Sequence, residues 1–204
     1  MKIKVCGMRQ SENIQQLLRL EPDYMGFIFF EGSKRFAPEL DNDLLLGFPE
    51  SVKKVGVFVN APIREVKEKV RAYGLDHVQL HGDESVEYVG ELFAIGISVM
   101  KVFSIAEEFD FDQLKPYKGL VDFFLFDTKG KERGGNGEVF NWEVLNDYHC
   151  DVPYFLSGGI DLENVEAISS LKVQPYAIDV NSKFELQPGL KDLEALKKLK
   201  AIMK

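Results

Sequence analysis

The chain carries 204 residues, 45% of them hydrophobic, which is enough to bury one full core and predicts a single domain over residues 1–204. Its 33 acidic residues outweigh 25 basic ones for a net charge of −8, which excludes the basic face that non-specific nucleic-acid binding needs, though not a small anionic ligand. Two cysteines, Cys6 and Cys150, exclude a disulfide scaffold, and no Cys/His cluster has zinc-ligand spacing, so no metal site is expected.

MKIKVCGMRQ opens the chain and reaches Arg9 too soon for a signal peptide. No apolar run approaches the about 18 residues of a membrane span. A soluble, cytoplasmic protein without a membrane partner is expected. Within that opening, IKVC (3–6) is the first of eight short β-prone runs. YMGFIFF (24–30), KVGVFVN (54–60), HVQL (77–80), SVMKVF (98–103), FFLFD (123–127), PYFLS (153–157) and YAIDV (176–180) follow. Most are continuously apolar rather than alternating, which suits strands buried on both faces of a parallel sheet.

Helical spacing fills most of the intervals. Ser11-Glu12-Asn13-Ile14 leads into QQLLRL, and Ala61-Pro62 opens IREVKEKVRAYG, with Ile63, Val66 and Val70 on one face and Gly74 as the stop. Asp83-Glu84 opens SVEYVGEL, and Asp161 caps LENVEAISSL. Segment 104–119 is the poorest helix, because Pro116 interrupts it. Leucines at 190, 193, 196 and 199 form a last helical stripe. Eight βα units in this length predict a compact (β/α)8 barrel of the TIM type, with a doubly wound open sheet as the second choice.

In such a barrel, functional groups sit where strands end. Cys6 ends the first strand beside Gly7. By type it is a small buried hydrophobe, and by position a reactive thiol. Arg35 lies beyond the second strand, either as a surface charge or as a fork for a carboxylate. Asn60 ends the third strand. At the fourth, Gln79 is barrel filling or a site residue, and His81 a core histidine or a site residue. Asp127 ends the sixth, as a turn opener or as an acid facing the thiol across the mouth, which would give a general acid and a general base without metal or cofactor. The KGKERGGNG that follows has the length and the glycines of a lid. Gly158-Gly159 before a helix start, together with the DVNS run from Asp179 through Asn181 and Ser182, predicts a phosphorylated ligand held by the seventh and eighth loops.

Together these pieces resemble the phosphoribosylanthranilate isomerases of tryptophan biosynthesis. IKVCGM, YMGFIFFEGSKRF, VGVFVN, VQLHGDE, LFDTKGKERGGNGEVFNW, FLSGGIDLENV and AIDVNSKFE…PGLKD run in family order over nearly the whole chain. The resemblance implies an Amadori rearrangement of N-(5-phosphoribosyl)anthranilate, a small phosphorylated aminosugar, by a monomer or homodimer that needs no cofactor. It implies Asp127 as general acid and Cys6 as general base. It further implies Arg35 on the anthranilate carboxylate, Asp179 on a sugar hydroxyl, Gly7, Gln79 and His81 lining the site, and Gly158, Gly159, Asn181 and Ser182 around the phosphate.

The chain departs from the family pattern at three points. Ser33-Lys34-Arg35 replaces Ser-Pro-Arg, Asn136 stands for a lid threonine, and Lys183 takes the place of a glycine in the phosphate loop. A positive φ at Lys183 would cost on the order of 1 kcal/mol. Other phosphate-binding barrels fit less well. Ribulose-phosphate epimerase needs a metal or paired acids, indole-glycerol-phosphate synthase a Lys/Glu set, and the histidine-pathway isomerase an aspartate where Cys6 stands. A binding-only barrel would have no use for Cys6 and Asp127.

Overall fold

A computed structural model describes residues 1–106, 108–128 and 141–203. Eight parallel strands close into a barrel in chain order: β1 (Lys2–Val5), β2 (Tyr24–Ile28), β3 (Lys53–Phe58), β4 (His77–Leu80), β5 (Val99–Ile105), β6 (Phe123–Thr128), β7 (Tyr154–Ser157) and β8 (Ala177–Val180). Closure is direct, since β1 pairs with β2 through Lys4↔Tyr24 and with β8 through Lys4↔Asp179. Each strand lies within one or two residues of its expected run.

The first half of the barrel is wrapped by α-helices: α1 (Ser11–Leu18), α2 (Asn42–Leu46), α3 (Ile63–Tyr73) and α4 (Val86–Ala94). Gly74 ends α3 at φ 57°, the left-handed stop its position suggested. One helix start differs from expectation, and one helix is additional to it. The cap of α4 is Ser85, whose side chain accepts from Tyr88 N, while Glu84 turns inward and is buried. The short α2 carries no apolar periodicity, but Asp41 caps it by accepting from Leu44 N.

The second half uses 3₁₀ turns at Phe111–Tyr117, Trp142–Asp147 and Val165–Ser170. Pro116 sits inside the first and cannot donate to a longer helix. In the third, which was expected to be a helix under Asp161, the hydroxyls of Ser169 and Ser170 donate to Glu166 O and Ala167 O, both at 2.7 Å. Asp161 meanwhile takes the amides of Glu163 and Asn164. These local bonds compete with helix propagation. Aromatic rings fill the space: Phe103, Phe109, Phe111, Phe126, Tyr148 and Tyr154 meet mostly edge to face at 5.0–6.2 Å between centroids.

Past β8 the chain forms a small antiparallel pair, β9 (Glu185–Gln187) and β10 (Leu190–Lys191), before α5 (Leu193–Ile202). Leu190 therefore belongs to a strand and not to the helical stripe, because Asp192 caps α5 by accepting from Glu194 N and Ala195 N. Among the described residues no helix is long and apolar enough to cross a membrane.

Candidate active site

Side chains alternate along a strand, so Lys4 and Cys6 share the inner face of β1 and its end. The expectation of mostly continuous apolar runs misses this, since Lys4 is a fully buried cation inside the barrel. Its Nζ donates to Asp179 Oδ2 at 2.8 Å, from the residue paired with it in register on β8. Gly26 on β2 leaves room for the thiol, as a Cβ there would lie 2.7 Å from Cys6 Sγ.

One cleft opens at the C-terminal ends of the strands and encloses about 790 Å³, its solvent mouth included. Cys6, Arg35, Gln79, His81, Asp127, Gly158, Gly159, Asp179, Asn181 and Ser182 all line it, joined by Ser33, Thr128, Ser157 and Lys183. Two candidates do not. Gly7 lies buried behind the wall at φ 80°, where a Cβ would stand 2.8 Å from both Arg35 Cδ and Asn181 Oδ1. Asn60 is a turn former at φ 50°, its amide bonded to Glu84 and its Oδ1 to Asp83 N.

Cys6 and Asp127 sit on strands separated by β7 and β8 on one side of the ring. Burial pushes the Cys6 thiol up, and Asp179 adds to this, while Lys4 and Lys191 draw it back only in part. Asp127 is 6% exposed. Its Oδ1 accepts from Thr128 N at 2.9 Å, and its Oδ2 lies 3.4 Å from His81 Nε2. Gln79 Nε2 lies 3.4 Å from His81 Nδ1, so one imidazole nitrogen meets Gln79 and the other faces Asp127. Gln79 Oε1 and Asp179 Oδ1 are buried with no hydrogen-bond partner among the described residues. Burial also pushes the Asp179 carboxyl up.

At the seventh loop, Gly158 and Gly159 have φ of 91° and 65°. A Cβ on Gly158 would fall 2.7 Å from Thr128 N, so only glycine brings the β7 end so close to the β6 end. The expected helix dipole behind this turn is missing, because the segment that follows is the six-residue 3₁₀ turn. Asn164 braces the glycines instead, donating to Gly159 O at 2.9 Å. Lys183 lies exposed on the cleft rim without a positive φ, so it does not carry the expected strain. The KGKERGGNG segment, with Asn136, lies outside the described residues.

The proline missing before Arg35 is not needed. Ser33 holds the turn, its Oγ accepting from Arg35 N at 3.1 Å. Arg35 does not point a free guanidinium at the cleft, however, because it is paired with Glu185. Nε donates to both carboxylate oxygens at 3.0 and 2.9 Å, and Nη2 to Oε2 at 2.7 Å. Neither Glu185 nor the buried Lys191 bonded to it was found in the sequence. No local pattern marks them, since Glu185 lies 150 residues from Arg35.

A closed parallel barrel whose strand ends gather a thiol, two carboxyls, an imidazole and a Gly-Gly turn defines a (β/α)8-barrel enzyme with its site at the C-terminal rim. The family model for N-(5'-phosphoribosyl)anthranilate isomerase matches residues 3–201, and the chain belongs to that family. It is 47% identical to the N-(5'-phosphoribosyl)anthranilate isomerase of Parabacteroides distasonis over 97% of this chain and 90% of that one. The crystal structure of phosphoribosyl anthranilate isomerase from Thermotoga maritima superposes with a TM-score of 0.88 at 33% identity, covering 99% of this chain and 98% of that one. A phosphoribosyl anthranilate isomerase solved in complex with reduced 1-(o-carboxyphenylamino)-1-deoxyribulose 5-phosphate gives 0.81 at 30% identity, covering 97% and 95%.

Proposed function

We propose that the chain is a cytoplasmic enzyme of tryptophan biosynthesis. It converts N-(5-phosphoribosyl)anthranilate to 1-(2-carboxyphenylamino)-1-deoxyribulose 5-phosphate within one catalytic domain. The observation that carries this reading is the meeting of Cys6, Asp127 and the Gly158-Gly159 turn in one cleft of a chain from this family. Asp127 protonates the ring oxygen, so that the furanose opens to a protonated Schiff base. Cys6 then takes the proton from C2, giving an enolamine. A proton added at C1, with loss of the C2 hydroxyl proton, completes the ketone.

A thiol pushed up by burial is a weak base at neutral pH. The cationic Schiff base offsets this by acidifying the C2 proton, which needs no cofactor. His81 orients the Asp127 carboxyl. The unpartnered Asp179 Oδ1 supports its role as acceptor for a sugar hydroxyl. Gly158, Gly159, Asn181 and Ser182 surround the phosphate, and Arg35 meets the anthranilate carboxylate. Acid and base come from one chain, so a monomer and a homodimer are equally competent.

The test is turnover of phosphoribosylanthranilate by the purified protein, followed by loss of anthranilate fluorescence. No turnover by folded protein sinks the assignment. Asp127→Asn is expected to lose about 10²–10⁴-fold in kcat while still binding the reduced product analogue. An active Asn variant removes Asp127 from the role.

A further inference from the structure

Arg35 meets an acid of its own chain before any substrate arrives. Glu185 takes the Nε/Nη2 edge of the guanidinium, and the Arg35 and Glu185 side chains are only 11% and 4% exposed. An arginine held on that edge keeps its Nη1/Nη2 edge for a second carboxylate, because the guanidinium is a planar fork with five donors. Glu185 in turn is fixed from behind. Its Oε1 also accepts from Lys191 Nζ at 2.6 Å and from Gly189 N at 3.1 Å. Arg35 and Lys191 outweigh burial and hold the Glu185 carboxyl below its usual range.

Lys191 extends the arrangement to the eighth loop. The same Nζ donates to Asn181 Oδ1 at 2.7 Å and to Asn181 O at 3.3 Å. Gly7 supplies the place where the ends meet, since a side chain there would strike Arg35 Cδ and Asn181 Oδ1 together. One buried lysine thus joins the acid that holds Arg35 to the loop proposed to hold phosphate.

We propose that Glu185 is a positioning residue for recognition of the anthranilate carboxylate: it locks Arg35 with one edge toward the cleft, and Lys191 ties that lock to Asn181. The proposal rests on the reading of Arg35 given above. The opposite possibility, that Glu185 occupies the carboxylate site and must leave, fits less well. An acid held by Lys191 and Gly189 as well as by Arg35 is anchored rather than displaceable.

The experiment measures binding of the reduced product analogue and of the same compound lacking its benzoate carboxylate, to the parent and to Glu185→Gln. Steady-state kinetics with phosphoribosylanthranilate run in parallel. Glu185→Gln is expected to weaken the carboxylated ligand about 10-fold or more and the decarboxylated one by less than about 2-fold, with the loss falling on KM far more than on kcat. Equal weakening of both ligands would show a merely structural role, and unchanged or tighter binding of the carboxylated ligand would show a competitor; either overturns the proposal. If Glu185→Gln does not fold, Glu185→Gln combined with Lys191→Met removes the buried cation together with its acid, and the same selective loss is expected. Arg35→Ala separates the two readings. If it spares the preference for the carboxylated ligand, the assignment of Arg35 fails, whatever Glu185 does.

Discussion

Two buried ion pairs stand on opposite sides of the barrel wall, and they are finished differently. Lys101 and Glu84 meet at 2.9 Å outside the sheet, and each has further partners there. Lys101 Nζ also donates to Gly82 O at 2.8 Å, and Glu84 takes the amides of Asn60 and Gly82. Lys4 and Asp179 meet at 2.8 Å inside the barrel, and there Asp179 Oδ1 has no partner among the described residues. Burial pushes the Asp179 carboxyl and the Cys6 thiol up, while Asp179 and Cys6 hold the Lys4 ammonium above its usual range against burial. The outer pair is satisfied in itself, which is what a structural pair requires. The inner pair lies beside more proton acceptors than it has cations to serve, which is what a proton-transfer site requires.

The largest effects are expected from cutting the inner pair. Lys4→Met and Asp179→Asn each leave one buried partner alone and are expected to cost about 3–5 kcal/mol in denaturant unfolding. Their effects on the pH profile of kcat/KM are expected to be opposite. A base works deprotonated, so activity rises with pH through the Cys6 titration. Lys4 lowers that titration and Asp179 raises it, so Lys4→Met moves the rising limb to higher pH and Asp179→Asn moves it to lower pH. Shifts in the same direction, or none, would remove the electrostatic link between this pair and the thiol.

Glu84→Gln tests the other side. It removes the charge that Lys101 faces, and about 3 kcal/mol of stability is expected to go with it. Activity per folded molecule, and the position of the pH limb, are expected to stay as in the parent, because Glu84 lines no part of the cleft. A selective loss of kcat would erase the distinction between the two pairs.

The sequence announced one of these pairs only in halves. Asp179 is legible because it stands next to the end of a strand, just before the polar Asn181-Ser182 turn. Lys4 is not, because a run of four residues read as apolar hides the alternation that places it beside Cys6. Glu84 looks like a helix start, since an acid before an apolar run has that meaning unless the next residue is a serine that caps better. The barrel itself was legible, because strand runs and their spacing are local properties. The 3₁₀ turn after β7 was not, because Ser169, Ser170 and Asp161 divert bonds that helical spacing alone would assign to a helix. Glu185 and Lys191 pair locally in the β9–β10 hairpin, but the contact of Glu185 with Arg35 spans 150 residues, which no local pattern carries.

Lys183 extends the comparison to a cation that is not buried. It lies exposed on the rim of the same cleft, beside Ser182 and Asn181. In the proposed reading this places an ammonium near the substrate phosphate, where a glycine would leave only backbone. A solvated ammonium meets its partner in a high dielectric and spends side-chain entropy to do so, and such a contact contributes about 0–1 kcal/mol. Lys183→Ala is therefore expected to raise KM by no more than about 5-fold and to weaken its dependence on salt, since one screened contact is lost. Lys183→Gly adds flexibility without relieving strain, because φ at this position is not positive, so it is expected to match or exceed the loss from alanine. A glycine variant that binds phosphoribosylanthranilate more tightly than the parent would mean that the lysine obstructs the phosphate instead of attracting it. Exposure would then have misled about charge at the rim, as hidden alternation did about charge in the core.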